Sequence, residues 1–362
     1  MKNIYVRLLE LLKKGEHLAL ATIIQTKGST PQVPGASALF SAEGRLEGTL
    51  GGGLLEFEAK KRALYSVKKK TSCLFEFELM EDAYSKEGAL CGGKAKILID
   101  ASPEKHLSSF QELNQSLFQR QPGVLATFID MISTEKTSLL REWIEKKNKR
   151  QTALKSPSSP FQEEIKKASS EGKPSLLKTR TKRARDKAME SLLFLEPIFP
   201  LPQLVIAGAG HIGQALTHLG SFLNFEITVI DDRPEYANKE MLPEADHIIV
   251  EEIGKAVQNF PVSADTYLVI VTRGHRHDGE ALRQCIASQA AYIGMIGSRR
   301  KIKLMRKKFL EKGWATPFQF DRVHAPIGLD IQSKTVEEIA ISIAAQLILV
   351  RNQSLQNTRQ GD

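Results

Sequence analysis

Three glycines at the spacing Gly208-Ala209-Gly210-His211-Ile212-Gly213 limit what this chain can fold into more than any other feature. They follow an apolar run at 204–207 and open a helical pattern at 212–223, the strand–turn–helix context in which such a motif binds a dinucleotide. Gly208 permits the tight turn, Gly210 lets backbone approach a pyrophosphate, and Gly213 allows helix and strand to pack closely. His211 stands where the free N–H groups of a helix start favour an anion. Asp231 lies about 20 residues on, at the end of a second apolar run, where an acidic side chain accepts from a ribose hydroxyl. This favours NAD over NADP, although the adjacent Arg233 leaves a 2′-phosphate open. A Rossmann fold that has lost its nucleotide would carry the same pattern.

From residue 203 onward, short apolar runs alternate with helical patterns, the rhythm of parallel βαβ units. Strands are expected at 204–207, 226–230, 247–250, 267–272 and 291–295, and helices at 212–223, 278–288, 299–312 and 336–350. Two polar segments fall at strand ends, where open α/β sheets place ligands. Thr272-Arg273-Gly274-His275-Arg276-His277-Asp278 offers imidazoles for acid–base work and guanidiniums for anions, or else a solvated loop. Gly294-Met295-Ile296-Gly297-Ser298-Arg299-Arg300-Lys301 offers an anion site at a helix start, or simple capping. The spacing of His275, His277 and Asp278 is not a standard metal-ligand pattern.

At 362 residues the chain is expected to form two domains, 1–198 and 203–351, divided where Pro197, Pro200 and Pro202 punctuate the sequence. The first reads as mixed α+β. Helices are expected at 4–14 and 55–69, and strands at 17–26, 36–40, 73–79, 94–99, 124–130 and 192–198. Its glycine loop Gly48-Thr49-Leu50-Gly51-Gly52-Gly53 leads into Leu54-Leu55-Glu56 and a helix. Three successive glycines suggest close backbone approach to a phosphate or a pterin edge, with a tight structural turn as the alternative. Cys91, followed by Gly92 and Gly93, is either a reachable thiol near Lys94 or a buried inert one. Cys73 and Cys285 lie within regular patterns and read as core.

The net charge of +9 is concentrated: residues 141–190 hold 15 Lys or Arg against 7 Asp or Glu. With Ser156-Pro157-Ser158-Ser159-Pro160 and few aromatics, this stretch reads as a solvated helix and mobile insertion, and nucleic acid is disfavoured as a partner. Three scattered cysteines argue against a disulfide framework. No apolar run reaches the roughly 20 residues of a membrane span and no signal core opens the chain, so a cytoplasmic protein is expected.

Taken together, these segments closely resemble the XdhC/CoxI family, accessory proteins of xanthine dehydrogenases and related molybdenum hydroxylases. In the first domain the resemblance rests on Gly28-Ser29-Thr30-Pro31, Gly35, Gly51-Gly52-Gly53-Leu54-Leu55-Glu56 and Cys91-Gly92-Gly93. In the second it rests on the Gly208–Gly213 turn, Asp231-Asp232-Arg233-Pro234, Thr272-Arg273-Gly274-His275, Tyr292-Ile293-Gly294-Met295-Ile296-Gly297-Ser298-Arg299 and Pro326-Ile327-Gly328-Leu329-Asp330-Ile331. Residues 102–190 are largely unmatched. Gln32 follows Pro31 where the family pattern places an arginine, so no anion contact is expected there.

The resemblance implies a maturation factor that holds the molybdenum cofactor, molybdopterin, and delivers it to an apo-hydroxylase of the xanthine dehydrogenase type. A cysteine desulfurase would be a second partner, Cys91 a molybdenum contact or sulfur carrier, and a homodimer the base-rate assembly. The other readings are an NAD(P)-dependent oxidoreductase with His275 or His277 as proton donor, and an NAD(H)-sensing regulator. The residues show no convincing catalytic pair, which favours delivery over turnover.

Overall fold

The computed structural model describes residues 3–78, 93–133, 136–145, 161–180 and 190–360, with the backbone alone at 45, 46, 180, 190, 275, 276 and 354–360. It divides into two compact units, Lys2–Pro200 and Leu201–Asp362.

The first unit runs α1 (Ile4–Lys13), β1 (Leu18–Lys27), β2 (Ser37–Ser41), β3 (Gly44–Gly48), α2 (Gly53–Lys69), β4 (Cys73–Glu78), β5 (Lys94–Asp100), α3 (Leu107–Phe118), β6 (Gly123–Ser133), β7 (Lys136–Glu145), α4 (Gln162–Glu171), β8 (Ser175–Arg180) and β9 (Glu190–Ile198). A short 3₁₀ turn, Pro103–His106, precedes α3. Two antiparallel sheets result, ordered β3-β2-β1-β5-β4 and β7-β6-β9-β8. β1 is apolar without interruption from Leu18 to Ala21 because both of its faces are covered. Ala19, Ala21 and Ile23 pack with Leu55, Ala59 and Ala63 of α2, whereas Leu18 and Leu20 pack with Leu8 of α1 and Phe110 of α3. Ile24 and Leu98 meet Ile129, Leu192 and Phe194, joining the two sheets. Ile165 and Ala168 of α4 cover the far side of the second sheet.

The basic stretch differs from its sequence reading. Residues 141–145 and 175–180 are strands, and 162–171 is a helix with a buried stripe; residues 146–160 and 181–189 lie outside the described residues. Arg141 is a core residue. Its Nε donates to Asp100 Oδ2 at 3.2 Å and its Nη1 to Thr127 Oγ1 at 3.1 Å, which offsets the desolvation of the charge. A count of cations cannot distinguish such a residue from a solvated one.

The second unit runs β10 (Gln203–Ala207), α5 (His211–Phe222), β11 (Glu226–Asp231), β12 (His247–Val250), α6 (Ile253–Asn259), β13 (Thr266–Ile270), α7 (His275–Cys285), β14 (Tyr292–Met295), α8 (Arg299–Glu311), α9 (Pro317–Asp321) and α10 (Val336–Gln360). Its sheet is parallel throughout, ordered β12-β11-β10-β13-β14, the doubly wound arrangement expected from the sequence. Period-2 alternation sends Leu204 and Ile206 to the face covered by Leu216 of α5 and Ile343 of α10. Val205 and Ala207 go to the face covered by Ala256 of α6, Leu282 of α7 and Phe309 of α8. Because β11 and β13 flank β10 on opposite sides, the chain reverses direction across the sheet beside the β10 exit. That crevice is where such sheets bind ligands.

Candidate functional site

At the β10 exit the backbone turns through Gly208 at φ +119°, a conformation L side chains rarely adopt. A Cβ there would stand 2.5 Å from the carbonyl oxygen of Val271. Gly213 in α5 would place a Cβ 2.0 Å from the Gly208 carbonyl oxygen, so the helix starts directly over the turn. Gly210 is the N-cap; no side chain caps the helix, and nothing lies within 4 Å of where its Cβ would be. No acidic residue occupies the first turn of α5, which begins with exposed His211. Uncapped amides at a helix start, with open space above them, are suited to an anion.

Asp231 has a different role from the ribose contact expected of it. Its Oδ2 accepts from the Ala209 amide at 2.7 Å and from Arg233 Nη2 at 3.0 Å. Its Oδ1 accepts from the Arg233 amide at 3.0 Å and from Arg233 Nε at 2.9 Å. A carboxylate has about four lone-pair sites, and these donors fill them. Burial alone would raise the Asp231 pKa, but the Arg233 guanidinium and the two amides hold it below the usual carboxylate value. Asp231 thus suspends the glycine turn from β11. Arg233, stacked 4.0 Å over the Tyr236 ring, is engaged in the same work.

The polar segment after β13 divides in two. Asp278 is fully buried, not at the rim: its Oδ1 accepts from Thr272 Oγ1 at 2.6 Å and its Oδ2 from Lys301 Nζ at 2.7 Å. It clamps the β13 exit to the start of α8. Arg273 reaches the rim and donates to Asp232 Oδ2 at 3.0 Å. His277 stands 4.0 Å from Glu280, and the side chain of His275 lies outside the described residues. Beyond β14, Ser298 caps α8 by accepting from the Lys301 amide. Gly297, Ser298 and exposed Arg299 line a cavity of about 590 Å³ with Pro326, Gly328 and Asp330. Two motifs separated in sequence therefore share one wall. Among the described residues no group of three or more His, Cys, Asp or Glu could hold a metal ion.

In the first unit the glycine loops converge. A Cβ on Gly51 would meet the Pro31 ring at 2.8 Å, and one on Gly93 would meet the Ser29 carbonyl oxygen at 2.0 Å. Cys91 and Gly92 lie outside the described residues. Gly51, Gly52 and Gly53 all have positive φ, and Gly52 is the N-cap of α2. Amides of the loop expected to face a phosphate or pterin already have a carboxylate partner. Glu56 Oε2 accepts from the Leu50 amide at 3.0 Å, the Gly52 amide at 3.3 Å and Thr49 Oγ1 at 2.7 Å. The Gly51 amide donates to Thr49 Oγ1. Glu56 is here the loop's own anion. Cys73 is half-buried, whereas Cys285 is buried and its thiol is pushed up to about 12 by desolvation.

Sequence reasoning missed the Asp278–Lys301 clamp and a second buried carboxylate. Tyr5 donates to Glu196 at 2.5 Å beneath Gly35, whose Cβ would come within 3.7 Å of Glu196. Burial pushes Glu196 up to about 7, against the hydrogen bond from Tyr5 and the charge of Arg141. No local pattern marks residues 5 and 196 as neighbours.

Comparison with known proteins finds a match at each end of the chain. A family model described as the XdhC Rossmann domain matches residues 204–347, and one described as the XdhC and CoxI family matches residues 11–78. A Bacillus subtilis protein, named as a probable subunit of xanthine dehydrogenase, is 28% identical over 97% of this chain and 98% of its own length. The uncharacterized protein YqeB of Escherichia coli is 24% identical; this chain spans 46% of that relative's length. A crystal structure described as a xanthine dehydrogenase from Bacillus halodurans superposes with a TM-score of 0.72 at 25% identity, covering 96% of both chains. With one family model at each end and a relative aligned along nearly its whole length, the chain belongs to the XdhC and CoxI family.

Proposed function

We propose that this chain is an accessory factor that takes up molybdenum cofactor and hands it to a hydroxylase of the xanthine dehydrogenase type without turning over a substrate. The observation that carries the reading is the β10–α5 turn: open at Gly210, uncapped at α5, and held in place by Asp231 before any ligand arrives. Such a turn fits the phosphate-bearing part of a nucleotide, either NAD(P) or a dinucleotide form of the cofactor. Gly208, Gly210, His211 and Gly213 would hold the phosphates, and Arg273, Ser298 and Arg299 would meet the rest of the ligand. The names of the Bacillus subtilis and Bacillus halodurans relatives supply the partner class. Leu54 and Phe57, exposed on the first turns of α2, add an apolar surface for that partner.

The test is the molybdenum, pterin and nucleotide content of protein purified anaerobically from cofactor-producing cells, with Cys91→Ala purified in parallel. Stoichiometric molybdopterin, diminished in the variant, is the expected result. Bound NAD(P) without molybdopterin would overturn delivery in favour of an oxidoreductase or a nicotinamide-sensing regulator. Equal retention by the variant would remove Cys91 from the mechanism.

A further inference from the structure

The first unit contains a second polar cavity, unrelated to its glycine loops. It lies between the α2–β4 turn, the β5 exit with its 3₁₀ turn, and the start of β7, and has a volume of about 270 Å³. Its rim carries Lys70, Lys105 and Lys136, and its floor holds Asp100, Ser102, His106 and Thr137. All four floor residues are more than nine-tenths buried.

The charge is unbalanced at the rim and balanced at the floor. Among the described residues no carboxylate lies within ion-pair distance of any of the three lysines. Among the described residues Asp100 is the only acidic one lining the cavity, and Arg141 Nε already donates to it. A solvated surface face would mix its lysines with acids, as α2 does with Glu58 between Lys61 and Arg62. The floor supplies a second, independent observation. The Thr137 hydroxyl is buried without a hydrogen-bond partner, although the Thr137 amide donates to the Ser72 carbonyl. A buried hydroxyl left unmatched is unfavourable, and the large majority of such groups find a partner. Arg141 Nη2, on the guanidinium paired with Asp100, is buried and unmatched as well.

We infer that this cavity binds a small, multiply charged phosphate compound, with the three ammonium groups neutralising it and the Thr137 hydroxyl completing its contacts. Lysine is a point-charge phosphate binder, and three lysines with hydroxyl neighbours suit a tetrahedral oxyanion better than a planar carboxylate. The volume lies just below the roughly 300–1,000 Å³ of ordinary ligand pockets, so a phosphate ester or pyrophosphate fits and a dinucleotide does not. The inference is independent of the β10–α5 turn.

Lysine acylation of the full-length protein, mapped by peptide mass with and without millimolar pyrophosphate, tests it against sodium chloride at equal ionic strength. Lys70, Lys105 and Lys136 are expected to react at least fivefold more slowly with pyrophosphate, while Lys61 and Lys307 on exposed helix faces are unchanged. Protection that chloride reproduces, or that spreads to Lys61 and Lys307, would overturn the site. Thr137→Val keeps the shape and removes the hydroxyl. It should raise the melting temperature of the ligand-free protein and lower the protection severalfold; unchanged protection would take Thr137 out of the site. Gly210→Ala, which obstructs the other phosphate turn, should leave the protection intact. Its loss in that variant would assign the effect to the Rossmann turn instead.

Discussion

Two glycine-rich loops in this molecule each open a helix without a side-chain cap, yet they differ in where their carboxylate sits. In the first unit Glu56 comes from the helix itself and folds back onto the Leu50 and Gly52 amides, the donors an anion would need. In the second unit Asp231 comes from the neighbouring strand, ties Ala209 alone, and is neutralised by Arg233. The first arrangement fills its own anion site and the second leaves the helix start clear. A glycine run before a helix is therefore not an anion site until the position of the nearest acid is known.

The comparison can be broken most decisively at Gly208. Alanine there combines a left-handed φ with a Cβ 2.5 Å from Val271, and should lower stability by about 3–5 kcal/mol. Gly52→Ala, strained but with open space around it, should lose only about 1–2 kcal/mol. Equal losses on denaturant titration would erase the contrast. Asp231→Ala, which strands the Arg233 guanidinium and frees Ala209, should cost about 3 kcal/mol.

Titration sharpens the contrast between units, because their buried acids shift in opposite directions. The Asp231 pKa is held low, so its contribution is present above its unfolded value near ~3.9 and is lost as pH falls through the folded value. Glu196 is pushed up to about 7, so its contribution is complete below ~4.3 and is lost as pH rises towards 7, by about 3 kcal/mol. Melting curves across this range should show Glu196→Gln flattening the slope between pH 4.5 and 7 and Asp231→Asn flattening it only below about pH 4. A Glu196→Gln slope parallel to wild type would contradict the buried-acid assignment.

Smaller effects separate binding from stability. Glu56→Ala should cost about 1 kcal/mol but create phosphate protection at residues 48–56, read by hydrogen exchange. A loop still indifferent to phosphate would mean that Glu56 is not what blocks it. Gly210→Ala has no neighbour to strain and should change stability by less than about 0.5 kcal/mol. It should weaken nucleotide binding at least tenfold, about 1.4 kcal/mol, and unchanged affinity would move the ligand away from this turn.

What could be read in the sequence was whatever is local. The parallel strands and the Gly208–Gly213 turn follow from short apolar runs, helical spacing and three glycines within six residues, whereas the short helices α6 and α9 were not read. What could not be read depends on distant pairs. Arg141 looks like one of fifteen cations in a solvated stretch until Asp100, 41 residues away, turns it into a core residue. Asp231 sits where a ribose contact is expected, and only its distance to Ala209 and Arg233 reveals a carboxylate already filled. Asp278 looks like a rim acid until Lys301 is placed beside it. α3 is a different case: Leu107, Phe110, Leu113 and Leu117 carry helical spacing that the sequence reading did not use.

The tether from Asp231 to the Ala209 amide also bears on rates. A turn ordered during folding meets its ligand as a rigid body, with little conformational search left at encounter. Association should then vary little among variants of the turn, and differences in affinity should appear as residence times. On the proposed reading, in which a cargo is held and then released, the lifetime of the bound state, set by contacts above Gly210, becomes the quantity on which a change in sequence acts.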